Sequence, residues 1–176
     1  MSASIVRILT VVFCLLYNTT FSWAQDYKIG PGDRVLISVY DEPDLKTEVK
    51  IDKSGLVSFP FIDDIQVIGL STEQVEEKIR TGLLGDYLVN PQVSVSIAMY
   101  RPFFIHGEVV KPGGYAYQDD LRLDKAIALA GGLAGRASKT DWKITRIVDG
   151  KTITIKVDVS TLVLPDDIIK IEQSFF

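Results

Sequence analysis

The stretch from Gly107 to Gly132 constrains this chain most. It reads Gly-Glu-Val-Val-Lys-Pro-Gly-Gly-Tyr, then an acidic turn, then Leu-Asp-Lys-Ala-Ile-Ala-Leu-Ala-Gly-Gly. Pro-Gly-Gly turns the chain, because proline fixes φ and glycine permits positive φ. A strand, a turn, a short returning strand and a helix with glycine past its end therefore fill the segment. None of it is spaced as a catalytic site is. A small modular scaffold, acting through shape and assembly rather than as an enzyme, is the expectation.

The first 24 residues are a different object. Arg7 is the only charge before Asp26, Ile8 to Tyr17 is nearly all apolar, and Ser22-Trp23-Ala24 places small residues before a cut. This is the pattern of a secretory signal peptide cleaved after Ala24. The apolar run is short of the roughly 20 residues that span a bilayer. Cys14 is the only cysteine, so the mature chain from Gln25 has no thiol and forms no disulfide. Lipidation at Cys14 is disfavoured by the bulky Phe13 before it. The whole chain carries a net charge of −4. An acidic chain with no Lys/Arg run argues against a nucleic-acid partner.

Periodicity places the remaining elements. Gly30-Pro31-Gly32-Asp33 is a turn, and Arg34 to Tyr40 a strand with Val35, Ile37 and Val39 on one face. Asp41-Glu42-Pro43-Asp44 is expected to break it. Glu48–Ile51 and Leu56–Phe59 are expected to form a hairpin around Asp52-Lys53-Ser54-Gly55, and Ile65–Ile68 a further strand. Ser71-Thr72-Glu73-Gln74 is a capping box that opens a helix, with Val75, Ile79 and Leu83 on its apolar face. Gln92 to Met99 alternates as a strand. Arg101-Pro102 interrupts the pattern, and the domain boundary is placed there. Phe103–Val109, Tyr115–Tyr117, Lys143–Val148, Thr152–Val157 and Ile168–Ile171 are strands, and Leu123–Ala130 is a helix. Asp149-Gly150 is a hairpin signal. Pro31 to Ile37 and Pro165 to Ile171 echo one another: the same turn delivers a strand twice.

These residues in this order resemble a bacterial polysaccharide export protein of the outer-membrane auxiliary type, which serves capsule and exopolysaccharide secretion. The export-domain pieces are Tyr-Lys-Ile-Gly-Pro-Gly-Asp at 27–33, Ile-Ser-Val-Tyr at 37–40, Glu-Pro-Asp-Leu at 42–45, Asp-Lys-Ser-Gly at 52–55, Gly-Leu-Ser at 69–71 and Asn-Pro-Gln-Val-Ser-Val at 90–95. The second half resembles the soluble-ligand-binding β-grasp (SLBB) module through Gly-Glu-Val at 107–109, Pro-Gly-Gly-Tyr at 112–115, Ala-Ile-Ala-Leu-Ala-Gly-Gly-Leu at 126–133 and the terminal Ser-Phe-Phe. The resemblance implies an α+β fold. Its parts are a signal peptide at 1–24, a small mixed α/β export domain at 25–101 and a β-grasp-like domain at 102–176.

It also implies a non-enzymatic component of a polysaccharide export conduit in the periplasm, associated with the outer membrane. The implied partners are copies of itself in a ring, the polysaccharide, and an inner-membrane polysaccharide copolymerase. Larger family members carry a lipidated mature cysteine and a C-terminal amphipathic helix. This sequence shows neither, so a separate outer-membrane component is expected to complete the conduit. Arg122 sits where the family tends to have Ser or Thr as helix cap, and Asp120 or water is expected to serve instead.

Sharper chemistry is weighed against plainer readings. Asp63-Asp64, Asp119-Asp120 and Asp166-Asp167 are adjacent pairs at turns, whereas a glycosidase needs two carboxyls facing across a bond; solvated turn formers are expected. His106 is the only histidine; a metal site needs three or four ligands, and with no second His and no cysteine in the mature chain no metal or other cofactor is expected. Neither Gly30-Pro31-Gly32 nor Gly131-Gly132 precedes a helix as a phosphate cradle must. Tyr115, Tyr117 and Arg122 are the candidate glycan or subunit contact. Packing of the tyrosines in a core or interface is the favoured reading. The rival function is a periplasmic module that binds a small ligand or a glycan.

Overall fold

The computed structural model describes residues 27–148 and 150–174. Residues 1–26, where the expected signal peptide falls, Asp149 and the last two phenylalanines lie outside them. The described chain is α+β: ten strands in three sheets and two helices.

The first half is built on β1 (Arg34–Val39), flanked by β2 (Glu42–Lys50) and β5 (Val93–Met99), both antiparallel to it. Val35, Ile37 and Val39 alternate inward and are buried, as the period-2 pattern requires. Helix α1 (Thr72–Leu83) lays Val75, Ile79 and Leu83 into the same core. Burial of each such side chain contributes about 1.5–3 kcal/mol. The capping box at its start is formed: Gln74 N donates to Ser71 Oγ at 3.3 Å, and Ser71 N donates to Gln74 Oε1 at 2.9 Å.

Several expectations for this half are corrected. Asp63 and Asp64 are not turn formers but lie on β4 (Ile62–Gln66), which stands in place of the strand expected at Ile65–Ile68. Asp41-Glu42-Pro43-Asp44 breaks the strand only at its first residue: β1 ends at Val39, but the last three residues are themselves strand. Asp41 takes a φ of 62° and β2 resumes at Glu42, running through Pro43. The proline is tolerated because β2 is an edge strand. Nor do residues 48–51 and 56–59 form a hairpin. Asp52 accepts bonds from Ser54 N, Ser54 Oγ and Gly55 N, and the chain leaves β2 for a separate two-stranded sheet. There β3 (Leu56–Phe59) pairs with β4 (Ile62–Gln66).

In the second half β6 (Phe103–Gly107), β7 (Gly113–Tyr115), β8 (Ala137–Val148), β9 (Lys151–Val157) and β10 (Ile168–Gln173) form one sheet in the order β7-β6-β10-β8-β9. β10 is parallel to β6 and antiparallel to β8. Helix α2 (Leu123–Leu129) joins β7 to β8 and packs Leu123, Ala126 and Ile127 on Phe103, Ile105, Trp142, Ile144, Ile169 and Ile171. Its end is a Schellman motif: Gly131 N bonds Ala128 O, Gly132 N bonds Ile127 O, and Gly131 has a φ of 81°. Its start departs from expectation. Arg122 makes no side-chain cap, and neither Asp120 nor water is needed. The carbonyls of Thr161 and Val159 accept the amides of Leu123 and Asp124. The β8–β9 hairpin forms, with Val148 opposite Lys151. The short returning strand ends at Tyr115, so Tyr117 lies outside it.

Candidate functional site at the junction of the two halves

The buried apolar residues fall into two clusters, one drawn from Ile29 to Val95 and the other from Phe103 to Ile171. Tyr100-Arg101-Pro102 passes between them, and both copies of the repeated turn grip it. In each turn a proline at the second position is followed by a residue with positive φ, Gly32 at 99° and Asp166 at 72°, then by a buried aspartate. Both close with a 3.2 Å bond, Asp33 N to Gly30 O and Asp167 N to Leu164 O. That is the geometry of a type II turn. In both, the aspartate folds back to accept the amide three residues earlier, Gly30 N at 2.8 Å and Leu164 N at 2.7 Å.

The two aspartates differ in what they hold. Asp33 accepts Arg101 N at 2.9 Å, Arg101 Nη1 at 3.3 Å and the Tyr27 hydroxyl at 2.6 Å. Asp167 takes a bidentate fork from Arg146, Nε at 2.7 Å and Nη2 at 2.6 Å. Its turn also binds the linker: Asp166 N donates to Pro102 O, and Phe104 N to Asp167 O. The Asp166-Asp167 pair is therefore not simply a solvated turn, since Asp167 is wholly buried. A charge out of water must be paired and hydrogen-bonded, and both aspartates are.

Three tyrosines cross the same junction edge to face. Tyr27 meets Tyr100 at 4.9 Å between ring centroids, and Tyr100 meets Tyr117 at 5.1 Å. Arg101 lies over the Tyr27 ring at 5.7 Å, within cation–π range. It also lies so close to Gly30 that a Cβ there would collide with its guanidinium. Burial, then the bond to Asp33, raises the Tyr27 phenol far above its ordinary value. Burial, then a bond to Asp119, pushes Tyr100 up to about 12. Beside this clasp a cleft of about 270 Å3 opens, with Tyr27, Lys28 and Arg101 on one wall and Arg146, Ile147 and Leu164 on the other.

The tyrosines singled out in the sequence both pack against the core of the second half but meet different rings. Tyr115 stacks on Phe103 at 5.9 Å and donates its hydroxyl to Lys111 O, while Tyr117 joins the junction ladder. Arg122 is exposed on the α2 approach, its backbone bridged to Leu162. His106 is exposed on β6. Asp33, Arg101, Arg146 and Asp167 were not anticipated as a site. The signal available was the Pro31–Ile37 and Pro165–Ile171 echo, whose shared third residue is the aspartate. Among the described residues no group of three His, Cys, Asp or Glu is placed to hold a metal. No helix there is long and apolar enough to cross a membrane.

Comparison with known proteins assigns both halves. The family described as polysaccharide biosynthesis/export protein matches residues 22–98, and the SLBB domain matches residues 102–156. Exopolysaccharide production protein ExoF of Rhizobium meliloti (strain 1021) is 32% identical over 122 residues, 62% of this chain and 29% of that protein. The EPS I polysaccharide export outer membrane protein EpsA of Ralstonia nicotianae (strain ATCC BAA-1114 / GMI1000) is 26% identical over 186 residues, 85% of this chain and 48% of EpsA. Polysialic acid transport protein KpsD of Escherichia coli is 24% identical over 132 residues, 73% of this chain and 24% of KpsD. The chain thus spans less than half the length of each of these relatives. Residues 22–98 thus resemble the polysaccharide biosynthesis/export protein family and residues 102–156 the SLBB domain, in that order along one chain.

Proposed function

We propose that this protein is a non-enzymatic, oligomeric component of a conduit that carries polysaccharide out of the bacterial cell envelope. The tandem order of the two domains carries the proposal, and the relatives named for exopolysaccharide production, export and polysialic acid transport support it. In this reading residues 25–101 are the export domain and residues 102–176 a β-grasp unit. The parallel pairing of that unit's first and last strands supports the second assignment. A ring of copies surrounds a hydrated passage, docks on an inner-membrane polysaccharide copolymerase and delivers polymer to an outer-membrane component.

The junction supports a mechanical role. Its two carboxylates each fix one end of the Arg101-Pro102 linker to its own half, and the Tyr100–Tyr117 ring contact crosses between the halves. A conduit built from two-domain subunits needs a fixed angle between the domains for a ring to close.

Deletion of the gene, with complementation, tests the proposal. Extracellular polysaccharide should fall and return with the complementing copy. An unchanged amount in the deletion strain would reject it. Sedimentation of the purified chain should show an oligomer, and a monomer at high concentration, with and without detergent, would reject the ring.

A further inference from the structure

Phe61 has a φ of 69°, in the left-handed region that a bulky side chain enters only under constraint. Its side chain is nonetheless 60% exposed, so burial does not offset that strain. The ring stacks instead on Tyr87, itself 51% exposed, with centroids 5.1 Å and planes 28° apart. The fold brings the two together. Phe61 is the tip of the β3–β4 hairpin, and Tyr87 lies in the loop after α1. Gly82 on α1 lets the hairpin in, since a Cβ there would stand 2.8 Å from Ile62 Cγ2.

The turn between Phe59 and Ile62 asks for this φ, as the turn at Pro165-Asp166 does; a large exposed ring at such a position, where glycine or asparagine fits best, points to a use for the ring. Next to the two rings in sequence are the exposed carboxylates of Asp63, Asp64 and Asp86. Asp63 and Asp64 are consecutive on β4 and face opposite ways, so one of them at most shares the rings' side; ring faces with an acceptor-only group near them suit a ligand with C–H faces and hydroxyl donors. A second copy of the chain would have to desolvate those carboxylates, which is costly unless its own cations meet them. An anionic bilayer surface would repel them. We propose that Phe61 and Tyr87 form a stacking platform for a sugar ring of the polysaccharide, whose hydroxyls donate to the neighbouring carboxylates. This inference rests on the export role proposed above.

The test is electrophoresis of the full chain through gels that contain the extracellular polysaccharide purified from the strain carrying the gene. The wild-type protein should be retarded. Phe61→Gly and Tyr87→Ala should each weaken apparent affinity roughly tenfold, the scale of one lost stacking contact, while Phe61→Tyr retains it. Phe61→Gly should not lower the melting temperature, because glycine takes this φ freely. No retardation of the wild type, or equal retardation of the variants, would overturn the platform. So would a loss of retardation that comes only with a change in oligomer mass. The two proposals fail separately in cells. If deletion abolishes export and both variants restore it fully, only the platform falls; if deletion leaves export intact, the export role falls.

Discussion

Asp33 accepts both the backbone amide and the guanidinium of Arg101, at 2.9 and 3.3 Å, across a sequence separation of 68. The aspartate belongs to the turn that starts the first sheet, and the arginine to the linker that leaves it. One buried carboxylate therefore ties the entrance of the first half to the entrance of the second. Asp167 does the corresponding work from the other side, with Arg146 and the Pro102 carbonyl as its turn's partners.

Removing one partner from this clasp strands the other. Asp33→Ala leaves the Arg101 head, whose side chain is only 22% exposed, without its anion and frees the Gly30 and Arg101 amides. The expected loss is about 3–5 kcal/mol of unfolding free energy, the range for breaking a buried pair. Denaturant unfolding of the wild type and the variant measures it. A loss under about 1 kcal/mol, the worth of a surface pair, would show that the clasp contributes little.

The tyrosine ladder sets an alkaline limit on stability. Tyr27 and Tyr100 have folded values raised above the ordinary phenol value, mainly by burial. A raised folded value favours the neutral form in the native state. The stabilisation is therefore whole below about pH 10 and is lost as pH climbs through the folded value, about 12 for Tyr100. Tyrosinate absorbance should appear for both rings only together with loss of the native circular dichroism signal. Ionisation of both near pH 10 in a folded chain would contradict the burial argument.

Gly107 closes β6 with a φ of 87°, and a Cβ there would run into the Ile171 carbonyl oxygen. Backbone cannot swing aside as a flexible side chain can. Gly107→Ala should cost several kcal/mol, on the order of 3 or more, or prevent folding. Gly113 has nothing within 4 Å of its virtual Cβ and no positive φ. Gly113→Ala should be neutral or gain up to about 1 kcal/mol. Thermal melts of the pair decide this, and equal effects would sink it.

What was legible in the sequence was local. The inward phase of Val35, Ile37 and Val39, the box at Ser71 and Gln74, the glycine after α2 and the β8–β9 hairpin each depend on residues a few positions apart. What was missed depends on distant partners. Pro43 looks like a strand breaker until β2 is known to be an edge. The Asp52–Gly55 turn looks like a hairpin until β3 is seen to pair elsewhere. Asp167 looks like a solvated turn residue until Arg146 arrives from 21 positions away. The site shifted for the same reason: Tyr115 and Tyr117 were visible as aromatics that pack on a core, but only the fold brings Tyr100 against Tyr117.

The two helix starts test whether a cap must be visible in sequence to matter. At α1 the box is a side-chain device, so Ser71→Ala should cost about 1 kcal/mol, and Gln74→Ala should remove the reciprocal bond at a smaller cost. At α2 the amides of Leu123 and Asp124 already have the Thr161 and Val159 carbonyls. A serine introduced by Arg122→Ser would find those donors taken and Lys125 N already donating to Asp124 Oδ1 at 2.7 Å, and the expected change stays within about 0.5 kcal/mol. Moving the loop instead should hurt. Thr161 also anchors it, since its hydroxyl accepts Asp158 N at 3.1 Å, so Thr161→Gly should loosen the loop and fray α2 from its first turn. Hydrogen exchange reads this directly: the amides of residues 123 and 124 should lose protection in the Thr161 variant and keep it in the Arg122 variant. The reverse order would mean that α2 is capped by its own side chains after all.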